Sequence, residues 1–182
     1  MPDCTTFVLP PVNFSKCAPA VRFAQINRIY ETRPTTADVL TDWASKTEWL
    51  TRLNQTSTVP GTGAAPIREL TVIGELTEPT QTETEISDGR TVKGPRKNVL
   101  PFTIDDLSTE NIAWARAHQD GTYTKKVWFG FEKLLFGGDE GIDVQINVNI
   151  IIGRDKNTVA GINGTLTWEG VQPEAILNPL LT

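Results

Sequence analysis

The residues that most often carry catalysis are scarce in this sequence. His118 is the only histidine among 182 residues, and no Gly-x-Ser-x-Gly segment supplies the strained turn that exposes a nucleophilic serine. His118 falls near the end of a predicted short helix, where an imidazole interacts well with the negative helix terminus. A structural role is therefore the better interpretation of His118, and we expect no nucleophilic catalysis.

Acidic residues cluster at two places where carboxylates could act as acid–base pairs or as metal ligands. Asp105 and Asp106 directly precede a predicted helix, which is the usual position of capping acids. Asp139, Glu140 and Asp143 place three carboxylates within five positions of a glycine-rich stretch, a donor set suited to Ca²⁺. The stretch matches neither an EF-hand nor a glycine-rich nonapeptide repeat. A glycine-rich surface turn is the preferred interpretation, with a Ca²⁺ site as the alternative.

The sequence also lacks the patterns of phosphate, zinc and sugar sites. No strand leads into a Gly-x-x-x-x-Gly-Lys-Ser/Thr or Gly-x-Gly-x-x-Gly segment that would cradle a phosphate. A structural zinc site needs about four Cys or His ligands, and the chain has two cysteines and one histidine. Its five tryptophans are spread over predicted helices and strands, which is typical of core and interface anchors. We therefore expect a protein that is not an enzyme and holds no cofactor or metal.

Composition and charge are those of a globular protein without a membrane segment. The longest apolar runs are far shorter than the ~20 residues of a membrane helix. The net charge is −5, and Lys and Arg are scattered among acids, which does not favour a nucleic-acid binder. The N-terminus lacks the pattern of a secretory signal. We therefore expect Cys4 and Cys17 to be reduced thiols, with a disulfide between them as the alternative.

The length and the hydrophobic pattern predict one mainly β domain over 1–182. Its expected parts are a proline-rich N-terminal arm over 1–34, a β core over 67–170 and an apolar C-terminal tail over 171–182. Ser45-Lys46-Thr47-Glu48 matches a capping box and predicts a helix start. Trp49, Leu50 and Leu53 are expected to share one face of that helix. Ser108 is expected to cap a second helix that runs to about Gln119.

Period-two alternation predicts antiparallel strands through the β core. The clearest case is a hairpin of Val144–Ile152 with Ile162–Trp168, whose apolar residues alternate with polar ones. Pro101 interrupts another alternating run, and because proline cannot donate to a ladder, we expect an edge strand or a bulge there. The polar face of the hairpin is almost uncharged and consists of Gln145, Asn147, Asn149, Asn163, Thr165 and Thr167.

A long polar stretch over 77–98 is expected to form an extended hairpin, with its turn at Asp88-Gly89. Acids lie on the entering limb and bases on the leaving limb: Glu83, Glu85, Arg90, Lys93, Arg96 and Lys97. Such a hairpin would order on contact with a neighbour, its charges setting the register. The expected fold class is mainly β with minor α content: an antiparallel β-sandwich or barrel-like tube fold with one or two short helices and this hairpin.

This order of elements resembles the tail tube (major tail) proteins of tailed phages and the related inner-tube proteins of contractile injection systems. The resemblance rests on the charged hairpin, the run Asn98–Leu107, the helix after Ser108, the glycine-rich run Leu135–Ile142 and the closing hairpin. It covers roughly residues 67–170 and is architectural. The N-terminal segment with its two cysteines does not match the pattern of that family.

The resemblance implies a virion protein, assembled in the host cytoplasm, whose copies form stacked rings around a lumen for DNA passage. Such rings are usually hexameric. The expected partners are copies of the chain, other virion proteins and transiently passing DNA, with no membrane. The hairpin charges and Pro101 would then mark the interface, and the uncharged polar face would line the lumen or be a plain solvated surface. The alternatives are a head–tail connector, stopper or capsid-decoration protein, and a β-sandwich module that binds sugar or protein.

Overall fold

The computed structural model describes residues 25–33, 40–55, 66–119, 123–152 and 160–181. Cys4, Cys17 and the remainder of the predicted arm over 1–24 lie outside the described residues. Within the described residues, strands predominate and all strand pairings are antiparallel. The elements are β1 (Ile26–Thr32), α1 (Lys46–Leu53), β2 (Arg68–Gly74), β3 (Thr80–Ile86), β4 (Arg90–Ile104), α2 (Thr109–Ala117), β5 (Tyr123–Phe131), β6 (Leu134–Phe136), β7 (Ile142–Ile151), β8 (Gly161–Glu169) and β9 (Ala175–Leu177).

Six of the strands close into an antiparallel barrel. The order β1-β2-β4-β8-β7-β5 returns to its start because β5 also pairs with β1. The expectation of a mainly β fold with one or two short helices is confirmed: the described residues contain two helices, and six strands form the closed barrel. Apolar side chains from every barrel strand fill the interior: Ile29, Val72, Leu100, Phe102, Val127, Phe129, Val144, Ile146, Val148, Ile162 and Leu166.

The predicted arm over 1–34 includes β1, which is a barrel strand paired on both sides and not an arm that packs over the domain. A bulge between Ile26 and Arg28 shifts the register of β1 and interrupts the period of two. Ile29 belongs to the barrel interior, whereas the adjacent Tyr30 packs outside the barrel against α1. Because these neighbours are buried on opposite faces, apolar and polar residues do not alternate there.

Pro101 does not lie on an edge strand, and that prediction is also wrong. β4 pairs with β8 along eight positions, Pro101 opposite Thr165, and pairs with β2 on its other side. The Pro101 carbonyl accepts from the Glu75 amide, so the imide nitrogen points to the same side, just beyond the last paired residue of β2. The missing donor therefore breaks no bond to β8, and a proline is tolerated in an interior strand.

Both helices begin where the capping residues predicted. Ser45 and Ser108 accept from the amides of Glu48 and Asn111, at 3.4 Å in each case. Trp49 is buried but Leu50 is 43% exposed, so the predicted shared face is wrong for Leu50, which lies about 100° around the helix from Trp49. α2 ends two residues before the predicted end. Its Trp114 belongs to the barrel's interior cluster.

The C-terminal tail docks on its own chain. β9 pairs with β6, which in turn pairs with β5, so the tail extends the sheet beside the barrel. The Asn178 amide donates to the Lys133 carbonyl at 2.7 Å, just past the last paired position. This arrangement covers the outer side of β5 together with α1.

Candidate assembly surfaces

The glycine-rich run after β6 wraps an indole ring. Trp128 donates from Nε1 to the Gly138 carbonyl at 2.7 Å. A Cβ added at Gly137 would lie 2.3 Å from Trp128 Cδ1, and one added at Gly141 would lie 2.9 Å from Cζ2. Trp128 itself packs edge-on against Trp49, with ring centroids 5.4 Å apart. The glycines are therefore required because the chain passes against the ring.

Two acids of the same run, Asp139 and Asp143, are engaged in separate contacts. Asp139 Oδ1 accepts from the Trp43 amide at 2.8 Å, and this contact ties the run to the segment before α1. Asp143 Oδ1 lies 3.2 Å from the buried Lys126 Nζ. Across the described ranges, no three His, Cys, Asp or Glu side chains converge as a metal ligand set would. Asp139 and Asp143 thus make separate contacts within the turn.

The other chemistry candidates, His118 and the Asp105-Asp106 pair, have structural contacts. His118 is 5% exposed, its Nδ1 lies 2.7 Å from the Trp114 carbonyl, and its ring lies against the Trp114 ring. Asp106 accepts from the Ser108 amide at 3.0 Å, next to the start of α2, while Asp105 is exposed. These contacts place His118 at the C-terminal end of α2 and Asp106 just before its N-terminal end.

The six polar residues predicted as a lumen face do lie together on the outside of the barrel. The registers of β4, β8 and β7 align them in three rungs with outward residues of β4. From one end to the other, the rungs are Val99–Thr167–Gln145, Pro101–Thr165–Asn147 and Thr103–Asn163–Asn149. We call these nine residues the charge-free face.

Hydrogen bonds within the charge-free face link neighbouring side chains. Thr103 Oγ1 donates to Asn163 Oδ1 at 3.0 Å, and Asn149 Nδ2 donates to Asn147 Oδ1 at 3.1 Å. None of the nine residues is ionisable. Sequence reasoning identified the contributions of β7 and β8 but missed Val99 and Thr103. The signal for these two was the alternation of buried Asn98, Leu100, Phe102 and Ile104 with the residues between them.

A second surface is the two-stranded ribbon of residues 80–97, formed by β3, a 3-10 turn at Ser87–Gly89 and the first part of β4. Every residue of β3 is exposed, and among the described residues β3 pairs only with β4. The predicted extended hairpin and its turn position are therefore confirmed. The ribbon projects past the barrel, because β8 begins to pair with β4 only at Lys97.

The ribbon has two unlike faces. Glu83 pairs with Lys93 and Glu85 with Thr91, so these four side chains share one face, where Glu83 and Lys93 form an ion pair at 3.3 Å. On the other face lie Thr84 opposite Val92, and Ile86 opposite Arg90. We call this second face the apolar ribbon face. It exposes 41% of Ile86 and 50% of Val92, a feature that the sequence analysis missed.

The residues predicted as an interface therefore do not form one surface. Glu83, Glu85 and Lys93 share the charged face of the ribbon, and Arg90 lies on the opposite face. Arg96 and Lys97 are at the base of the ribbon, where Gly170 donates to the Arg96 carbonyl at 2.9 Å. Pro101 lies in the middle rung of the charge-free face. A bulge between Lys93 and Arg96 inserts one extra residue into β4 and separates these groups.

A third feature is a recess at the barrel end from which the ribbon projects. It has a volume of about 340 Å³ and is lined by Gln25, Ile26, Gly74, Glu75, Leu76, Phe129, Phe131 and Phe136. The rings of Phe129 and Phe136 stack within it, with centroids 5.0 Å apart. We call it the mouth recess. It is mostly apolar, and its one ionisable side chain is that of Glu75.

Comparisons with known proteins do not assign the chain to a family. No family model, no curated protein and no solved structure matched it. In the part of the chain that the structure describes, no helix is long and apolar enough to cross a membrane.

Proposed function

We propose that this protein is a non-enzymatic structural subunit that assembles into stacked rings, as the tail tube proteins of phages do. The observation that carries the proposal is the ribbon. A closed barrel satisfies its own strand edges, yet this chain extends two strands beyond it with β3 exposed at every residue.

The energetics of the ribbon favour a partner. Ordering a backbone costs roughly 1–2 kcal/mol per residue, and an isolated two-stranded hairpin is at best marginally stable in water. The ribbon buries little in its own chain, and its ion pair joins two side chains that are each more than half exposed, so that pair contributes little. Contacts from neighbouring copies would supply the missing burial.

The charge-free face suits the wall of a channel for DNA. Tight binding to phosphates needs Lys or Arg, and its strength rises with the number of phosphates neutralised. A wall of Asn, Gln, Thr, Val and Pro side chains offers no such contact, so DNA would pass without being held. On this proposal the charge-free face of each copy is turned toward the lumen.

Ring contacts in this proposal are made by side chains and by the ribbon. The barrel occupies both edges of β4, so a copy cannot join its neighbour through an edge strand at Pro101. Closed rings require heterologous contacts, in which different surfaces of each copy meet. The ribbon and the surfaces near its base are unlike, as such contacts require.

The test is microscopy of the purified protein together with a variant that lacks the ribbon. Replacing residues 81–96 by Asn-Gly joins Thr80 to Lys97, which are already opposite each other, through a favoured two-residue turn. We expect rings or tubes of one diameter for the native chain, and a folded monomer of unchanged β circular dichroism for the variant. Discrete rings that never stack would favour the connector alternative. A native chain that stays monomeric at high concentration in every salt would refute the proposal.

A further inference from the structure

The two faces of the ribbon differ in what they demand of a partner. On the charged face Glu83 forms an ion pair with Lys93, and Glu85 lies opposite the uncharged Thr91. The apolar ribbon face leaves Ile86 and Val92 about half exposed, beside Arg90. Exposed apolar side chains that stand together on a projecting element are typical of contact sites. The exposure of Ile86 and Val92 therefore favours the apolar ribbon face over the charged face as the contact surface.

The mouth recess is the complementary surface on the same chain. Its lining is dominated by Ile26, Leu76 and three phenylalanines, and its volume of about 340 Å³ accommodates aliphatic side chains. At its rim stands Glu75, which is exposed. An apolar recess with one carboxylate at its rim matches two aliphatic side chains beside one guanidinium.

We propose, on the basis of the function proposed above, that the apolar ribbon face of one copy docks in the mouth recess of a second copy. Ile86 and Val92 enter the recess, and Arg90 pairs with Glu75 at its rim. The contact is heterologous, because ribbon and recess are different surfaces. It repeats from copy to copy and generates a ring or a stack.

The length of the ribbon favours contact with the recess of a second copy over contact with the recess of its own chain. Val92 is five residues from Lys97, where β4 begins to pair with β8, and a strand rises about 3.3 Å per residue. Val92 thus stands about 17 Å from the end of its own barrel. It could turn back into its own recess only if β4, which is continuous from Arg90 to Ile104, were broken.

A charge exchange between Arg90 and Glu75 tests the pairing. Arg90→Glu and Glu75→Arg are each expected to raise the concentration needed for half-assembly by about tenfold or more, because each places like charges together in the contact. The double variant restores the opposite pairing and is expected to recover most of the loss. The matched control is the exchange of Glu83 and Lys93 on the other face, which should change assembly by less than about threefold.

Crosslinking between copies locates the contact directly. In a background of Cys4→Ser and Cys17→Ser, one preparation carries Val92→Cys and another carries Leu76→Cys. A disulfide needs Cβ atoms about 3.5–4.5 Å apart, so oxidation of the mixture should give a covalent dimer of twice the chain mass. Each preparation alone should not. A mixture of Thr91→Cys with Leu76→Cys, from the charged face, is the control and should crosslink poorly.

The outcomes separate this inference from the proposed function. Suppose that the native chain assembles, but that neither the charge exchange nor the crosslink behaves as expected. The recess then has another occupant or the ribbon docks elsewhere. In that case the inference is overturned, and the proposed function stands. If the native chain never assembles, both fail. Recovery in the Arg90→Glu, Glu75→Arg double variant together with the Val92–Leu76 crosslink establishes the contact.

Discussion

Adding one methyl group at Gly137 should destabilise the protein far more than adding one at Gly138. The two glycines are adjacent in the run that wraps Trp128, and both have positive φ, at 143° and 72°. They differ in what a side chain would meet. At Gly137 the new Cβ would lie 2.3 Å from Trp128 Cδ1, whereas at Gly138 nothing lies within 4 Å. Both substitutions therefore carry a backbone cost, and only Gly137→Ala adds the indole contact. The φ of Gly137 lies further from the allowed left-handed region than that of Gly138, so the backbone cost at Gly137 is at least as large.

The magnitudes follow from these two terms. A residue with a Cβ in the left-handed region costs about 1–2 kcal/mol, which is the whole effect expected for Gly138→Ala. Gly137→Ala adds overpacking against a ring that is 0% exposed, and such overpacking costs about 1–3 kcal/mol. The ring cannot yield easily, because Trp49 packs on it and Gly138 holds its Nε1. We expect Gly137→Ala to lose about 2–5 kcal/mol in total.

Urea unfolding followed by tryptophan fluorescence measures both variants. We expect the midpoint of Gly137→Ala to fall well below that of Gly138→Ala, at an unchanged slope. Equal losses in the two variants would refute the claim that Trp128 dictates the glycines. The same experiment with millimolar Ca²⁺ tests the alternative for Asp139, Glu140 and Asp143. A bound ion would raise the midpoint with concentration, and we expect no rise.

Three further predictions address a titration, a cap and the charge-free face. Burial raises the pKa of Tyr30 above its usual 10.0, against the lowering effect of a hydrogen bond with Asn178. The folded state then holds the phenol proton more tightly than the unfolded state. The stabilisation is therefore complete below pH 10 and should be lost as the pH rises above the raised pKa of Tyr30. In Tyr30→Phe, the urea midpoint should decline less over this pH range. Glu48 accepts from two loop amides at 2.7 and 3.0 Å, so Glu48→Ala should lower the free energy of unfolding by about 1–2 kcal/mol and Glu48→Gln by less. Asn147→Lys with Asn163→Lys should leave stability within about 0.5 kcal/mol, because both are exposed. Tubes of that variant should bind short duplex DNA in a salt-dependent way and protect it from nuclease. If the bound DNA is digested by nuclease, the charge-free face lies on the outside of the tube.

The sequence predicted those elements whose two faces differ. β7 and β8 alternate because one face lies in the barrel and the other faces outward, and a period of two records that difference directly. β1 was assigned to an arm because a bulge shifts its register between Ile26 and Arg28, and because Tyr30 and Ile29 are both buried, one under α1 and one inside the barrel. Its second covering comes from residues far along the chain, and no local pattern reports them.

The sequence also predicted the serine caps at the two helix starts, but it did not predict the contacts that Glu48 makes outside its helix. Ser45 and Ser108 cap because a short side chain reaches an amide three residues on, which is a local property. The carboxylate of Glu48 instead reaches back beyond the helix, to the amides of Thr41 and Asp42. Pro101 misled the analysis for a similar reason, because a missing donor matters only if a partner strand continues opposite it, and β2 ends there.

Of the three candidate surfaces, the sequence predicted one and did not predict the other two. The charge-free face was predicted from polar residues at every second position, since strand register carries that regularity into space. The mouth recess could not be predicted, because its lining comes from the ends of β1, β2, β5 and β6 and from Leu76, which meet only through the closure of the barrel. The sequence did not predict the apolar ribbon face, because Ile86 and Val92 are two isolated apolar residues in a polar stretch and form no periodic pattern.

Barrel closure also decides how copies can associate. A sheet with free edges can grow by adding strands from a neighbour, and its register then specifies the contact. In this chain the six barrel strands bond to each other, so among the described strands the free edges are those of the ribbon and of β9. Association through the barrel itself must then rely on side-chain surfaces, whose specificity comes from shape and from charge placement. Glu83 and Lys93 contribute little to that specificity while they pair with each other. Arg90, on the apolar ribbon face, is free of that pairing by position, which is why the exchange with Glu75 is the decisive measurement.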